Sequence, residues 1–483
     1  MKQLSQLLLE HHYIAEYDKA DYPNGIGSVL VGEICNDSRV AKEGAVFVCI
    51  RGEMSDGHDY YRQAYESGCR IFVCEKRLPF LFGLIQIIVP NTRIALAEIA
   101  EWFYDHPEKE LKVIGITGTK GKSTVAYMLS HILNRNNRPT GTVGTCGTVI
   151  SNVTTPTQNT TPESLELIKI LRKMKDAGCE YAVIEVSSQA VLMNRIHGIR
   201  FFAAALTNLS PDHIGKGEHP DFENYKDCKK RLFSLCDIAV LNRDDKFYEE
   251  FKSACISTHV EYSLDDAKNI SQSEYALHTE FDYAGIRFDI PLPGAFNVMN
   301  ALCAVKLAGI CGIGEKLCAA VLKDVSVPGR FEEVKNSTGA RFIIDYAHNG
   351  ESLRSAINAL RSSLPDRLIC LFGSVGGRTQ LRRAELGKAA RAADFCIITS
   401  DNPDSEPPEN IIADIVSNIG ETPYITFIDR AQAIKYAVKT AKKGDIVLLA
   451  GKGHEQYQLI NGKKIPFSEK ELIKKYSDEL IKA

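Results

Sequence analysis

The segment from Lys112 to Leu133 constrains this chain more than any other. It reads Lys112-Val113-Ile114-Gly115-Ile116-Thr117-Gly118-Thr119-Lys120-Gly121-Lys122-Ser123-Thr124 and runs on into the helical pattern Val125-Ala126-Tyr127-Met128-Leu129-Ser130-His131-Ile132-Leu133. An apolar strand, a Gly-rich turn and a helix start carrying Lys-Ser form one β–loop–α unit. Such a unit points backbone N–H groups and the positive end of a helix at a phosphate. Gly118, Thr119, Lys120, Gly121, Lys122, Ser123 and Thr124 are the candidate phosphate-binding residues. Lys122 is placed to reach the outer phosphates, and Ser123 to offer its hydroxyl to magnesium. The spacing departs from the strict P-loop pattern, because Ile116 stands five residues before Gly121 where that pattern has Gly. The expected ligand is ATP or a close relative, with Mg2+.

Around this unit, short β-branched runs alternate with helical patterns, the signature of an α/β chain with mostly parallel sheets. At 483 residues, two to four domains are expected. The first stretch carries strands around Ala45 to Ile50 and Arg70 to Cys74, then a helix from Ile94 to Tyr104. The middle block adds strands Lys112 to Thr117, Tyr181 to Glu185, Phe202 to Leu206 and Ile238 to Leu241. After the hinge Pro328-Gly329 the pattern restarts with Phe342 to Asp345, Leu368 to Phe372, Phe395 to Thr399, Ile425 to Ile428 and Ile446 to Leu449, enough for a complete doubly wound domain. Three domains are thus expected, at 1–97, 98–328 and 329–483.

Composition narrows the partners. The 58 Lys plus Arg against 61 Asp plus Glu leave a net charge of -3, so no global basic field gathers nucleic acid or acidic membrane. The most apolar run, Leu78 to Val89, is broken by Pro79, Gly83 and Gln86 and is shorter than the roughly 20 residues a bilayer requires; membrane insertion is not expected. Fourteen Cys are scattered singly with no CxxC pair, and the Leu-rich N-terminus reads as an amphipathic helix rather than a leader. A reduced, cytoplasmic chain is expected, acting as a monomer on small molecules held by local sites.

Magnesium prefers oxygen ligands. Glu185 ends the strand Tyr181 to Ile184 and opens Val186-Ser187-Ser188, at the carboxyl end where α/β sites lie. A second polar stretch, Thr207-Asn208-Leu209-Ser210-Pro211-Asp212-His213, follows the next strand, so that Asn208, Asp212 and His213 are candidates for metal or substrate. Tyr225 to Arg231 forms a basic helical turn.

Together these motifs resemble the Mur ligase family of ATP-dependent amide-forming enzymes, most closely the MurE type that extends a UDP-N-acetylmuramoyl dipeptide to a tripeptide. The resemblance covers nearly the whole chain. It rests on Asp37-Ser38-Arg39, Asp56-Gly57-His58, Gly118 to Thr124, Thr160-Thr161-Pro162, Glu185-Val186-Ser187-Ser188, Asn208-Leu209-Ser210 with Asp212-His213, and Gly294-Ala295-Phe296-Asn297. It continues through Asp345-Tyr346-Ala347-His348, Asp401-Asn402-Pro403, Asp429-Arg430-Ala431 and Gly451-Lys452-Gly453-His454-Glu455. It implies a three-domain Mur ligase architecture, with a central P-loop ATPase-like domain and a C-terminal Rossmann-like domain. The resemblance also implies that Asn297, Arg330 and Asp345 join the loop in holding ATP, and that Glu185 and His213 join Ser123 as magnesium ligands. Lys122, His213 and Lys229 would be the catalytic residues. Lys229 would be carbamylated by carbon dioxide to support a second magnesium, which requires a neutral amine. Ser38 would take the UDP end of the acceptor, and Thr160, Thr161, Ser187 and Arg195 its muramoyl-peptide part. The implied reaction activates the D-glutamyl carboxylate as an acyl phosphate, which the incoming amine then attacks.

Asp401-Asn402-Pro403-Asp404 bears on which amino acid is added. Members of the type that add meso-diaminopimelate usually carry Arg at the fourth place, where a guanidinium grips the distal carboxylate. Here that place is Asp404. With Asp401 and Glu455 it is expected to attract a distal ammonium, favouring L-lysine, with L-ornithine or meso-diaminopimelate as alternatives. Asn402, Gly451 and Arg383 complete the expected amino-acid site, with Arg382 or Arg383 for the α-carboxylate. A folylpolyglutamate-synthetase-like ligase is the other alternative, disfavoured by the first-domain motifs.

Overall fold

The computed structural model describes the chain except at residues 53–54, 213, 216–217, 257, 274–276, 378–379 and 483, and describes residues 380, 481 and 482 by their backbone alone. It divides into two compact units, Met1–Ala126 with Leu133–Tyr262, and Tyr127–Ile132 with Ser263–Ala483.

In the first unit, the N-terminal part is a five-stranded sheet ordered Ala15–Tyr17, Ile85–Ile88, Ile71–Cys74, Ala45–Val48, Glu33–Cys35. All pairs are parallel except the edge strand Ala15–Tyr17. The strand Ile85–Ile88 falls inside the apolar run Leu78 to Val89. The helix Thr92–Phe103 starts where the Asn91 side chain accepts from the N–H groups of Arg93 and Ile94, a cap that replaces missing intrahelical partners. It buries Ala95, Leu96, Ile99 and Trp102 against the sheet.

The rest of this unit is an eight-stranded sheet. Its six parallel strands run Thr140–Gly144, Tyr181–Glu185, Lys112–Thr117, Phe201–Leu206, Cys236–Asn242 and Thr258–Tyr262, with an antiparallel extension through Gly147–Ile150 and Val153–Thr155. The central strand pairs in register on both sides, Ile116 opposite Glu185 and opposite Ala205. Thr117, Glu185 and Leu206 therefore finish at one edge. The strand interiors are apolar, as expected for a sheet buried on both faces.

In the second unit, a three-stranded antiparallel sheet (Lys268–Gln272, Thr279–Tyr283, Ile286–Ile290) is accompanied by the helices Ala295–Ile310 and Glu315–Leu322. A six-stranded sheet follows, ordered Glu332–Val334, Arg341–Asp345, Ile446–Ala450, Leu368–Phe372, Phe395–Thr399, Tyr424–Phe427. Only Glu332–Val334 is antiparallel. The five expected strands are all present, within a residue or two of their sequence limits. Among the described residues, no helix is long and apolar enough to cross a membrane.

Arg430 anchors the carboxyl ends of this sheet. Fully buried, it donates from Nε (2.9 Å) and Nη2 (2.8 Å) to Glu469 Oε1 and from Nη2 to the Ala450 carbonyl at 3.0 Å. Breaking one partner of a buried pair strands the other charge. Arg430→Ala is expected to lower stability by about 3–5 kcal/mol in urea unfolding of the full chain; a loss below about 1 kcal/mol would contradict this anchoring role.

Candidate active site

The phosphate loop follows the strand Lys112–Thr117 and ends at the helix Lys122–Arg135. Gly118 has φ +146°, and a Cβ there would fall 1.9 Å from Thr207 Oγ1; Gly121, with φ +83°, caps the helix in left-handed geometry. Both positions need glycine for backbone reasons. The neighbouring strand end clamps the loop. Asn208 Oδ1 accepts from Lys120 N (3.0 Å), its Nδ2 donates to the Lys120 carbonyl (3.0 Å), and its own carbonyl accepts from Thr119 N (2.8 Å). Asn208 thus shapes the loop and spends its amide there, rather than on a metal.

Two lysines converge on the loop. Lys122 Nζ donates to the carbonyls of Gly118 (2.8 Å) and Thr119 (3.0 Å), and Lys229 Nζ to the same Gly118 carbonyl at 2.9 Å. Lys229 comes from the helix Phe222–Arg231, which Asp221 caps through Asn224 N. It is only 2% exposed, with Nζ 4.7 Å from the Tyr225 ring centre. Burial first, and then the charge of Lys122, push its amine well below the ordinary lysine range, with Asp212 pulling the other way.

Glu185 lies beside the helix start. Its Oε2 accepts from Ser123 Oγ (2.9 Å) and Thr145 Oγ1 (3.1 Å), and its Oε1 from Thr145 N (3.0 Å). A Cβ on Gly144 would meet Glu185 Oε1 at 2.0 Å, so that strand end is shaped around the carboxylate. The hydroxyl–carboxylate pair is the oxygen donor set a magnesium ion takes. Sequence reasoning missed Thr145; its signal was the Gly144-Thr145-Cys146-Gly147 turn at the end of the strand adjoining that of Glu185. Thr160 Oγ1 joins through Thr145 Oγ1 (3.0 Å), and Thr161 Oγ1 donates to the Glu185 carbonyl (2.7 Å) while accepting from Ser187 N (3.0 Å). The structure therefore brings Ser123, Glu185, Thr160, Thr161 and Ser187 together. His213 lies outside the described residues. His219, not singled out in the sequence, is buried, with Nε2 2.8 Å from Ser188 Oγ and Nδ1 2.7 Å from Asn224 Oδ1, bracing the Glu185–Ser188 turn against the Lys229 helix.

Other expected substrate residues are engaged within the fold. Arg195 donates from Nε to Glu163 (2.9 Å) and from Nη1 to the Thr161 carbonyl (3.0 Å). Ser38 Oγ donates to Gln63 Oε1 at 2.8 Å.

In the second unit, Asp345 ends its strand with Oδ2 accepting from Phe331 N and Oδ1 from Ala347 N, both at 2.9 Å. Burial raises its pKa against the pull of Arg330. Arg330 stacks over Tyr346, 4.5 Å from the ring centre. Asn297 is buried, donating from Nδ2 to the Pro293 carbonyl (2.8 Å) and accepting from Asn300 (3.1 Å).

The residues expected at the amino-acid site have partners within the chain. Lys452, fully buried, places Nζ 3.2 Å from Asp401 Oδ1, 3.0 Å from Asn402 Oδ1 and 3.1 Å from Glu455 Oε2. Asp401 and Glu455 thus share a cation of the chain itself. Asp404, at φ +53°, accepts the Gly462 N–H on Oδ1 at 2.7 Å, fastening the hairpin Tyr457–Ile460/Lys463–Pro466. The expected attraction of Asp401 and Glu455 for an incoming ammonium is correspondingly reduced. Arg383, expected on the α-carboxylate, forms a fork to Glu406 (2.7 and 2.6 Å) and a bond to Asp414 (2.8 Å). Gly451, at φ +112°, donates its N–H to the Asp345 carbonyl at 3.1 Å, beside Asp401.

A glycine loop at a helix start, with lysines converging on it and a serine–glutamate pair beside it, defines a P-loop nucleotide-dependent enzyme of the α/β class. Comparison with known proteins places it more narrowly. Residues 31–104 match the model described as "Mur ligase family, catalytic domain", 116–308 the "Mur ligase middle domain", and 329–453 the "Mur ligase, glutamate ligase domain". The chain is 38% identical to a UDP-N-acetylmuramoyl-L-alanyl-D-glutamate--2,6-diaminopimelate ligase of Caldanaerobacter subterraneus subsp. tengcongensis, over 93% of this chain and 95% of that one. It is 37% identical to the Clostridium botulinum protein of that name, over 98% of each. A solved structure of a ligase of that name superposes with a TM-score of 0.66 at 26% identity, covering 97% of this chain and all of that one. The chain belongs to the Mur ligase family: it is an ATP-dependent, amide-forming ligase with the family's three domains.

Lys229→Met is expected to stabilise the chain at neutral pH in bicarbonate-free buffer. A lowered folded-state pKa means the unfolded chain binds more protons, so wild-type stability rises with pH until the ordinary lysine value of about 10.4. The advantage of the variant should be largest below the folded-state pKa and shrink as pH climbs from there to the ordinary lysine value of about 10.4. Thermal unfolding across pH checks this; a gap that does not change with pH would contradict a lowered pKa at Lys229.

Proposed function

We propose that the chain joins a diamino acid to the D-glutamyl carboxylate of UDP-N-acetylmuramoyl-L-alanyl-D-glutamate, and that the diamino acid is 2,6-diaminopimelate. The observation that carries this reading is the near full-length identity to ligases bearing that name. In this reading the acceptor carboxylate attacks the outer phosphate of ATP, ADP leaves, and the amine displaces phosphate from the acyl phosphate. Lys122 and the loop amides hold the phosphates and offset charge on the transferring group. Ser123, Glu185 and His213 would hold magnesium, which supplies further charge neutralisation there. Asn297, Arg330 and Asp345 take the nucleotide roles of the family. Thr160, Thr161, Ser187 and Arg195 take the muramoyl-peptide roles and Ser38 the uridine end. In this reading the domains run 1–97, 98–328 and 329–483, a division supported by family matches over 31–104, 116–308 and 329–453. Buried free thiols such as Cys35, Cys49, Cys69 and Cys74 support a reducing, cytoplasmic setting.

Carbamylation of Lys229 is part of the proposal. The amine is buried, disfavoured as an ammonium and beside Lys122, and a carbamate would turn two like charges into an opposed pair. A second reading of the amino acid, L-lysine, is favoured by Asp404 standing where a guanidinium would grip a distal carboxylate.

A panel of diaminopimelate, lysine and ornithine with the UDP-dipeptide and ATP separates the readings. Diaminopimelate is expected to give the highest kcat/KM, while preference for lysine would overturn that choice and leave the ligase reading standing. Lys122→Ala is expected to reduce acceptor-dependent phosphate release on the order of a hundredfold or more; full activity would remove Lys122 from the mechanism.

A further inference from the structure

A second cluster of ligand-type side chains lies in the first unit, at the segment that leads into the strand Lys112–Thr117. Glu101 closes the helix Thr92–Phe103, Glu108 sits in the short helix Pro107–Glu110, and His106 stands between them. One ligand atom from each lies within 4.8 Å of the others. Glu101 is 7% exposed and Glu108 4%. Glu101 Oε1 and Glu108 Oε2 are nevertheless buried without a hydrogen-bond partner. Buried carboxylate oxygens in native folds are almost always satisfied, because an unpaired one carries its full desolvation cost.

The imidazole sharpens the point. His106 Nε2 lies 2.8 Å from Glu10 Oε1, and Nδ1 lies 3.0 Å from Glu108 Oε1. With Nε2–H donating to Glu10, Nδ1 faces a carboxylate oxygen, and either a second ring proton or a bound cation must lie there. Nearby, His11 Nε2 is a third buried atom without a hydrogen-bond partner, 3.8 Å from Glu10 Oε1.

We propose that Glu101, His106 and Glu108 form a binding site for one zinc-like divalent cation, with Glu10 orienting His106 through Nε2. A mixed imidazole and carboxylate donor set suits zinc, whereas magnesium and calcium favour all-oxygen shells. A carboxylate behind a ligating histidine is the usual support of such a site. Bound there, the cation ties the N-terminal helix Leu4–Glu10 to the segment that feeds the phosphate-loop strand. The site is separate from the proposed magnesium donors Ser123 and Glu185, and nothing in the ligase reaction requires it.

The test is zinc titration of the chelator-treated full chain by calorimetry, in excess magnesium so that the phosphate-loop site is occupied by that ion. One zinc per chain is expected, with a raised melting temperature. Glu101→Gln and His106→Gln are expected to weaken binding by at least about tenfold, and Glu10→Gln by about 10–100-fold, the effect of losing an outer-shell partner. Ligase activity of these variants without zinc should match the wild type. No saturable binding, or binding unchanged in both the Glu101 and His106 variants, would overturn the proposal. Cobalt(II) added to the unmutated chain gives a reading that does not depend on how the variants fold: visible absorption of a low-symmetry nitrogen–oxygen site supports the proposal, and the spectrum of the hydrated ion alone overturns it.

Discussion

Two lysine side chains donate to one carbonyl, that of Gly118, and much of the first unit is arranged around that convergence. Lys122 arrives from the helix start and Lys229 from a helix more than a hundred residues later in the chain. Placing two ammonium groups on one acceptor is unfavourable unless an anion joins them or one loses its proton. The burial of Lys229 favours the second outcome. A neutral amine is also the form that reacts with carbon dioxide, so the electrostatics of the bare loop and the proposed carbamate are two consequences of one packing decision.

The loop holds this geometry because neighbouring strands end in register. Thr117, Glu185 and Leu206 finish at one edge, so Glu185 meets Ser123 while Asn208, two residues past Leu206, clamps Lys120. Carboxyl ends are used similarly in the second unit, where Asp345, Asp401 and Gly451 follow neighbouring or near-neighbouring strands. There, Lys452 lies between Asp401 and Glu455, so these carboxylates form a partly neutralised group rather than bare negative charge.

The strongly patterned parts of this architecture were legible in the sequence. Strands such as Lys112–Thr117, Tyr181–Glu185 and Leu368–Phe372 are continuous apolar runs, and the phosphate loop announces itself by glycine spacing. Edge strands such as Val153–Thr155 and Lys268–Gln272 were not legible, because they are exposed and polar and carry no periodicity that separates them from loops. In the site, residue types were readable but pairings were not. Nothing in the sequence indicated that Arg383 would be taken up by Glu406 and Asp414, or that Asp404 would fasten a hairpin, since both depend on segments distant along the chain. Thr145 and Lys452 were missed for the same reason: a threonine in a turn and a lysine in a glycine-rich motif acquire meaning only from the carboxylates the fold brings to them.

The most direct test of this account is the titration of Lys229 itself, followed by NMR of isotope-labelled lysine side chains in the full chain, with a Lys229→Arg variant to assign the signal. The account predicts that one lysine, absent from the variant, titrates well below the ordinary value of about 10.4. A Lys229 signal titrating at that ordinary value would show that the buried amine keeps its proton, and would contradict the central claim.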